Sequence, residues 1–458
     1  MASNDVRADS PDDSRRISLL LGLLFGLAGM GSSSAALVLP LIGEDLGVSV
    51  GSAAWTISLY VLMLAVTTAV YGRVSDLVGT RLPLLFGITL MTGGALLAAL
   101  APSFGVLLVA RLLQGAGAAA VPTLGVAILS ARYDGDVRGL ALGRLAGMAA
   151  AVSCLGPLAG GLVEHAFGWR VVMALPILGV LVIPFLWRAL GGGGSGARLD
   201  ILGAVLVAGT AGGLVLLVQS PSTGIAVAAV GVVLMVLGTP AVTLRVRRRP
   251  HGFLPLAVVA NPTVVRSAVA AAAVPAAWFA QLVAVPAVLV RDGWEPWQVG
   301  VLLLPSAVLA ILMPRTAGQF LARFGPARTL AVAALTAALA LAVAALGTGL
   351  VSPALLVLSV AGCTVAFGLG QPALVASVGQ AVESEVRGVA LGIATLLFLA
   401  GGSIGSAVVG GLGEAISIPL SLAVLAVLPL LGLLVLAPEV RARRATTHEA
   451  SERSVTRP

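Results

Sequence analysis

The sequence predicts an all-α membrane protein of about fourteen transmembrane helices, arranged as two pseudo-symmetric six-helix bundles with two further helices inserted between them. Three observations predict it: an extreme apolar composition, the regular recurrence of runs long enough to cross a bilayer, and two internal matches at a nearly constant shift. Of the 458 residues, 59% are hydrophobic and 10% charged, with a mean hydropathy of +1.07. Soluble domains use roughly 45–50% apolar residues, so a water-soluble globular protein is excluded.

Runs with few charges and about 20 residues in length recur from Ile17 to Ala437. They cover residues 17–41, 53–71, 83–101, 104–130, 139–163, 171–190, 201–219, 223–244, 263–290, 297–317, 328–348, 352–376, 387–412 and 416–437, here numbered spans 1 to 14. The basic residues are all arginine, and cationic loops favour the cytoplasmic side. With the N-terminus inside, that side collects Arg15, Arg16, Arg73, Arg81, Arg132, Arg138, Arg188, Arg198, Arg245, Arg247, Arg248, Arg249, Arg323, Arg328, Arg387 and the tail from Arg441. The opposite side holds Arg170 and Arg291. Both termini are therefore expected in the cytoplasm, with an even number of spans. The net charge of +8 reads as a topology signal; arginines scattered among short loops do not form a nucleic-acid surface. SRRISLL near the start is followed by an apolar run longer than a signal peptide's, leading into more spans, so it opens a first transmembrane helix. Cys154 and Cys363 fall in predicted spans, where packing is their expected role.

VRGLALG at 137–143 recurs as VRGVALG at 386–392, and a gapless extension pairs Gly156 with Gly405 and Gly161 with Gly410. The shift is 249 residues. Independently, Gly72–Asp76–Gly79 aligns with Gly318–Ala322–Gly325 at a shift of 246. Each shift equals eight spans, which implies two homologous six-helix units separated by spans 7 and 8. The expected organisation is a tail at 1–16, a first bundle at 17–190, a linker and two extra helices at 191–244, a connector at 245–262, a second bundle at 263–437 and a tail at 438–458. Repeats related about an axis along the membrane normal are typical of transporters, with the substrate site between the halves near mid-membrane.

Three motifs resemble the major facilitator superfamily, and within it the fourteen-helix drug:proton antiporters, over Ile17 to Ala437. The first, GRVSDLVGTR, is similar to the family's loop between helices 2 and 3. Gly72 and Gly79 allow tight turns, and an anion such as Asp76 is favoured against a helix N-terminus. The resemblance implies that Asp76, with Arg81, latches the two halves together on the cytoplasmic side, against the start of span 13 near Val386 to Gly388. The sequence departs from the pattern at Leu77 and Thr80, where the family prefers basic residues, and Ala322 replaces the carboxylate in the second copy.

The second motif, RLLQGAG at 111–117, lies inside span 4. A guanidinium there costs about 2.5–3.5 kcal/mol on insertion scales, so Arg111 is expected to face the central cavity or a polar partner. The match to R-x-x-Q-G implies a part for Arg111 and Gln114 in proton transfer or in holding substrate; the alternative is a structural arginine bonded to span 1 near Ser32 to Ser34. The third motif runs from Gly143 to Gly161 in span 5 and includes Gly156, Pro157, Gly160 and Gly161. It resembles the family's antiporter motif, with Val152 where a glycine is expected, and within the family it is associated with export. Small residues let helix backbones approach, and proline removes an intrahelical bond.

PLIGEDLG at 40–47 resembles the family's end of helix 1, and counting back from Pro40 puts Gly31 where many of these antiporters carry an aspartate; span 1 contains no carboxylate. Neutral, weakly anionic or zwitterionic substrates fit such a span better than dications. Glu164, Asp200 and Glu414 are expected near span ends as solvated boundary charges, with Asp76 and Glu164 the candidate proton carriers. Gln281, Gln371, Trp278 and Tyr60 are candidate substrate contacts; a buried amide needs a partner, either substrate or a neighbouring helix. The expected function is proton-coupled export of a small organic molecule, an antibiotic, drug or secondary metabolite, from a bacterial cytoplasm across the inner membrane. The expected protein is a monomer, not an enzyme, with no cofactor or metal; its partners are the substrate, protons and the lipid bilayer, and nucleic acid is not among them. The alternative is an uptake or facilitated-diffusion carrier of the same fold.

Overall fold

A chain in hydrocarbon must satisfy every backbone N–H and C=O internally, and each apolar run accordingly becomes a helix. The computed structural model describes residues 11–187, 200–249 and 252–455. The side chains of residues 11–12, 73, 76–77, 135–136, 201, 222–223, 384–386, 388–389 and 442–455 lie outside that description, as does the linker GGGGSG. Among the described residues 13 helices are long and apolar enough to cross a membrane, and a bent pair supplies a fourteenth. Span 1 is Pro11–Leu37, span 2 Val50–Ala53 with Trp55–Val78, span 3 Arg81–Ala99, and span 4 Phe104–Ala118 with Ala120–Arg132. Span 5 is Gly135–Cys154 with Gly156–Phe167, and span 6 joins Trp169–Ala174 through a 3-10 stretch, Leu175–Val182, to Ile183–Leu186. Spans 7 and 8 are Ile201–Thr223 and Ile225–Arg248. Spans 9 to 14 are Pro262–Arg291, Pro296–Leu302 with Leu304–Phe324, Pro326–Gly349, Pro353–Ala381, Ser384–Ala415, and Ile418–Leu425 with Val427–Val455. Span 1 thus begins before the expected 17 and ends before the expected 41, because Pro40 opens a separate short helix, Leu39–Leu46. The side from which span 1 departs is called the tail face below, and the other the far face.

Prolines set the interruptions, since each removes an intrahelical donor. Pro157 sits just after the break at Leu155 in span 5, and Pro305 just after the break at Leu303 in span 10, where the two pieces meet at 40°. Pro176 opens the 3-10 stretch of span 6.

Within each half, the interior is built by backbone-to-backbone approach at glycine. A Cβ added at Gly156 would lie 1.9 Å from Ser33 Oγ of span 1, and one at Gly160 would lie 2.8 Å from Ser34 Cβ. In the second half, Cβ atoms at Gly401 and Gly405 would each lie 1.9 Å from a carbonyl oxygen of span 9, those of Ala272 and Ala276. Span 13 thus packs on span 9 as span 5 packs on span 1. Polar staples at the edges tighten each unit. Arg132 pairs with Asp13 at 3.0 Å and Arg170 with Asp45 at 2.7 Å in the first half; Arg266 pairs with Glu439 at 3.1 Å in the second.

The inserted pair has its own staple. Asp200, expected as a solvated boundary charge, instead caps span 7 by accepting from Gly203 N–H, accepts from Phe253 N–H, and pairs with Arg245 of span 8 at 2.6 Å. Its side chain is 9% exposed. Four donors converge on one carboxylate, which explains the difference from a charge left in water. Phe253, held by that bond, packs with Ala204 and Leu396, and with Ala69 and Val70 of span 2. Further along, Val215 of span 7 packs with Leu62, Val66 and Ala407, and Gln219 donates to the Gly51 carbonyl at 3.2 Å. Span 7 therefore wedges into the groove between spans 2 and 13 and touches both halves.

The Arg245 guanidinium beside Asp200 holds its carboxyl below the usual range, at about 2. The staple's contribution to stability is therefore complete above the ordinary aspartate pKa of about 4 and is lost as pH falls through about 2. Asp200→Ala is expected to lower the thermal midpoint of the detergent-purified protein at pH 7 and to remove the part of the acid sensitivity below pH ~4 that this carboxylate supplies. Thermal unfolding of both proteins across that pH range measures it.

Candidate functional site

The charge buried in span 4 is satisfied without a carboxylate. Arg111 is fully buried; its Nε donates to the Thr56 carbonyl of span 2 at 2.9 Å, and Nη1 donates to the Gly31 carbonyl of span 1 at 3.4 Å and to Gln114 Oε1. The guanidinium lies 4.4 Å from the centre of the Tyr60 ring, whose hydroxyl donates to the Ala28 carbonyl at 2.9 Å. Arg111 Nη2 and Gln114 Nε2 have no hydrogen-bond partner among the described residues. The local sequence makes this possible: Gly115 brings span 4 against the Tyr60 backbone, and Gly117 brings it against Met91 and Gly87 of span 3. Arg111 is thus a strut joining spans 1, 2 and 4, and neither it nor Gln114 opens on the central cavity. Tyr60, expected to contact substrate, is 2% exposed and forms the floor under that strut. The glycine at 31 also has a reason. A Cβ there would lie 2.4 Å from Pro176 Cγ, so the approach of span 6 leaves no room for a carboxylate.

Between the halves lies a narrow cavity of about 20 Å³. Ser33, Leu37 and Pro157 line it from the first half; Trp278, Gln281, Leu282, Val285, Pro286, Leu303 and Val360 line it from the second. Gln281, considered for substrate contact, is already satisfied within its own half. It donates to Cys363 Sγ at 3.0 Å and accepts from Ser359 Oγ at 3.0 Å. Trp278 is half-buried, with its ring 6.0 Å from that of Phe367, which in turn packs edge-on against Phe398 at 5.4 Å. Gln371 is exposed and does not line this cavity.

The seam around the cavity is closed toward the far face. A Cβ at Gly161 would lie 2.5 Å from Trp297 Cα, and one at Gly300 would lie 2.6 Å from the Pro157 carbonyl oxygen, so spans 5 and 10 touch at their two breaks. On the other flank a Cβ at Gly410 would lie 3.0 Å from the Gly51 carbonyl oxygen, and one at Gly51 would lie 2.3 Å from that of Gly410. Gly161 and Gly410 are the pair related by the shift of 249, and Gly51 and Trp297 are related by the shift of 246. The two repeats therefore close the seam with equivalent positions. Ser58 and Ser406 share a hydrogen bond of 2.9 Å across it, and Glu414 Oε1 accepts from Gly51 N–H at 3.0 Å. Glu414, expected as a bare boundary charge, thus joins the halves, while Glu164 at the end of span 5 interacts electrostatically with Glu295 of the second half. Toward the tail face, Gly143 and Gly147 of span 5 and Gly318 of span 10 have nothing within 4 Å of where a Cβ would stand.

Arg81 stacks over Trp187 of its own half, 3.7 Å from the ring centre. Gly79 ends span 2 with φ 79°, a left-handed conformation that favours glycine. The Asp76 side chain, with much of Val386 to Gly388, lies outside the described residues. Sequence reasoning missed Gly51, Trp297 and Ser58. The shift of 246 could have paired Gly51 with Trp297, but nothing in the sequence says that this pair meets the Gly161 and Gly410 pair across the seam.

The two glycine sets are separable by substitution. Gly161→Val and Gly410→Val are expected to leave a monodisperse, folded protein that has lost transport, because only the seam is overpacked. Gly156→Val and Gly405→Val are expected to lower stability itself, by about 1–3 kcal/mol or more. Size-exclusion profiles and thermal unfolding beside a transport assay distinguish the two.

Comparison with known proteins agrees with this architecture. The family model of the Major Facilitator Superfamily matches residues 21–406 and again 268–457. The chain is 34% identical over 189 residues to "Uncharacterized MFS-type transporter YwoD" of Bacillus subtilis, covering 39% of this chain and 42% of that one. It is 32% identical over 183 residues to "Uncharacterized MFS-type transporter EfpA" of Mycobacterium tuberculosis, covering 39% and 34%. The chain thus spans about half the length, or less, of the curated relatives it matches. Among solved structures, a POT family transporter in complex with 5-aminolevulinic acid superposes with a TM-score of 0.67 at 13% identity, covering 93% of this chain and 96% of that one. A peptide transporter POT in complex with sulfate gives 0.68 at 17% identity, covering 93% and 95%. With the family model covering most of its length, and with 13 helices among the described residues long and apolar enough to cross a membrane, this chain belongs to the Major Facilitator Superfamily.

Proposed function

We propose that this transporter exports a small organic molecule in exchange for protons by alternating access, with the seam cavity as its binding site. The observation that carries the reading is the closure of the seam toward the far face by repeat-equivalent positions, Gly161 against Trp297 and Gly410 against Gly51. The arginine bias makes the tail face cytoplasmic, which makes this conformer the one that loads substrate from inside. The span 5 motif, Gly143 to Gly161, supports export over uptake by its resemblance to antiporters. Its two broken helices, spans 5 and 10, meet where the far-side closure must part. In the opposite conformer Asp76 serves as the cytoplasmic latch, with Gly72 and Gly79 allowing its turn, and Arg81 is steadied by Trp187. Proton entry at carboxylates along the seam, Glu164 among them, resets the cycle.

The membrane is that of a bacterial cell with both termini inside, and a single chain carries the whole cavity. The direct test is uptake into inverted vesicles: an inside-acid gradient is expected to drive accumulation of substrate, and its dissipation to abolish it. Accumulation in right-side-out vesicles instead overturns export. Asp76→Asn is expected to shift the balance away from the outward-open conformer by about two- to fivefold, the value of an anion at a helix N-terminus, read as slower transport with unchanged expression.

A further inference from the structure

The inserted helices make a contact that parting of the halves on the far side has to break. Span 7 lies along span 13 backbone to backbone: a Cβ at Gly411 would stand 2.6 Å from the Val218 carbonyl oxygen and 3.0 Å from Gln219 Cα. Against span 2 it sets side chains, with Val215 packing on Leu62 and Val66. Gln219 is fully buried, roughly one turn from the far end of span 7 at Thr223. Its Nε2 donates to the Gly51 carbonyl at 3.2 Å, while the N–H of the same glycine is held by Glu414 Oε1 at 3.0 Å. A Cβ at Gly410 would lie 2.8 Å from Ala54 Cβ and 3.1 Å from Gln219 Nε2. The first half, the second half and the insertion therefore meet at one point of the far-side closure.

An amide buried there needs its partner, so in the closed seam Gln219 holds Gly51 in place. Once the far side parts, water reaches both groups and replaces the bond. The net difference between those two states is that of a neutral hydrogen bond, about a two- to tenfold factor in the equilibrium. Such a factor biases the far side toward closure and is still undone in every cycle, whereas breaking a buried ion pair strands a charge. On the alternating-access reading, we propose that Gln219 is a gating residue: it travels with the second half, holds the first half at Gly51 while the far side is shut, and releases it each time that side opens. The inserted pair thereby takes part in the cycle.

The reporter is Ser58→Cys, roughly two turns deeper in span 2 than Gly51 and buried in the closed seam. Cys154 is changed to serine in every chain, and the buried native Cys363 stays as an internal control. Right-side-out vesicles are treated at one fixed pH with a membrane-impermeant methanethiosulfonate, and labelling is read peptide by peptide by mass spectrometry. Slow labelling at position 58 is expected in the parent chain. Gln219→Leu and Gln219→Met, the second of which keeps the length of the side chain, are expected to raise that rate about two- to tenfold, with Cys363 unlabelled throughout. Labelling at 58 that neither variant changes overturns the proposal and leaves alternating access standing. Labelling of Cys363 that rises as much as that at 58, or a polydisperse size-exclusion profile for both variants, makes Gln219 a structural residue and overturns it too. No labelling at 58 in any chain sinks alternating access, and the gate with it. Faster labelling in the variants without acid-driven uptake in inverted vesicles leaves the gate standing and sinks the coupling to protons instead.

Discussion

Everything in this molecule depends on helix backbones approaching to contact at glycines placed twice, once in each repeat. In lipid there is little hydrophobic force between helices, so association rests on van der Waals packing and on polar contacts that small residues permit. Gly156 and Gly405 use that approach to build the two halves; Gly161 and Gly410, five residues on, use it to join them. The same short stretch of spans 5 and 13 therefore serves both as interior of a half and as contact between the halves. Pro157 falls between those two duties in span 5, and the break at Leu155 comes just before them.

The distribution of polar contacts follows the same division. Among the described residues, the ion pairs lie within the first half, within the insertion or within the second half, and none crosses the seam. What crosses is a serine pair and a backbone N–H on Glu414. Two units that are each stapled at their edges are thus joined to one another by no ion pair among the described residues. Span 7 complicates the motion on one flank. Wedged against spans 2 and 13 and fastened through Asp200 and Phe253, it gives that flank a third partner which the span 5 and span 10 flank lacks.

Much of this was legible in the sequence. Length and hydropathy sufficed for the number of spans, and the two shifts gave the duplication and the insertion, since both depend on composition and periodicity alone. The glycines of spans 5 and 13 were visible as a motif, but which served the interior and which the seam was not, because that depends on the angle between helices. Arg111 was recognisable as a buried cation needing partners; that they would be the carbonyls of Thr56 and Gly31 required coordinates. Gln281 left two readings open, and Cys363 with Ser359 decided between them across 82 and 78 residues of chain. Asp200 was misjudged because its partners come from the far end of span 8 and from the connector, separations of 45 and 53 residues that no local pattern encodes.

The glycine at position 31 has a consequence for descent. A Cβ there would lie 2.4 Å from Pro176 Cγ, so any side chain at 31, an acidic one included, needs Pro176 or its helix to move. The two positions are thereby coupled: a residue with a side chain at 31 and a proline at 176 are alternatives within this packing of spans 1 and 6.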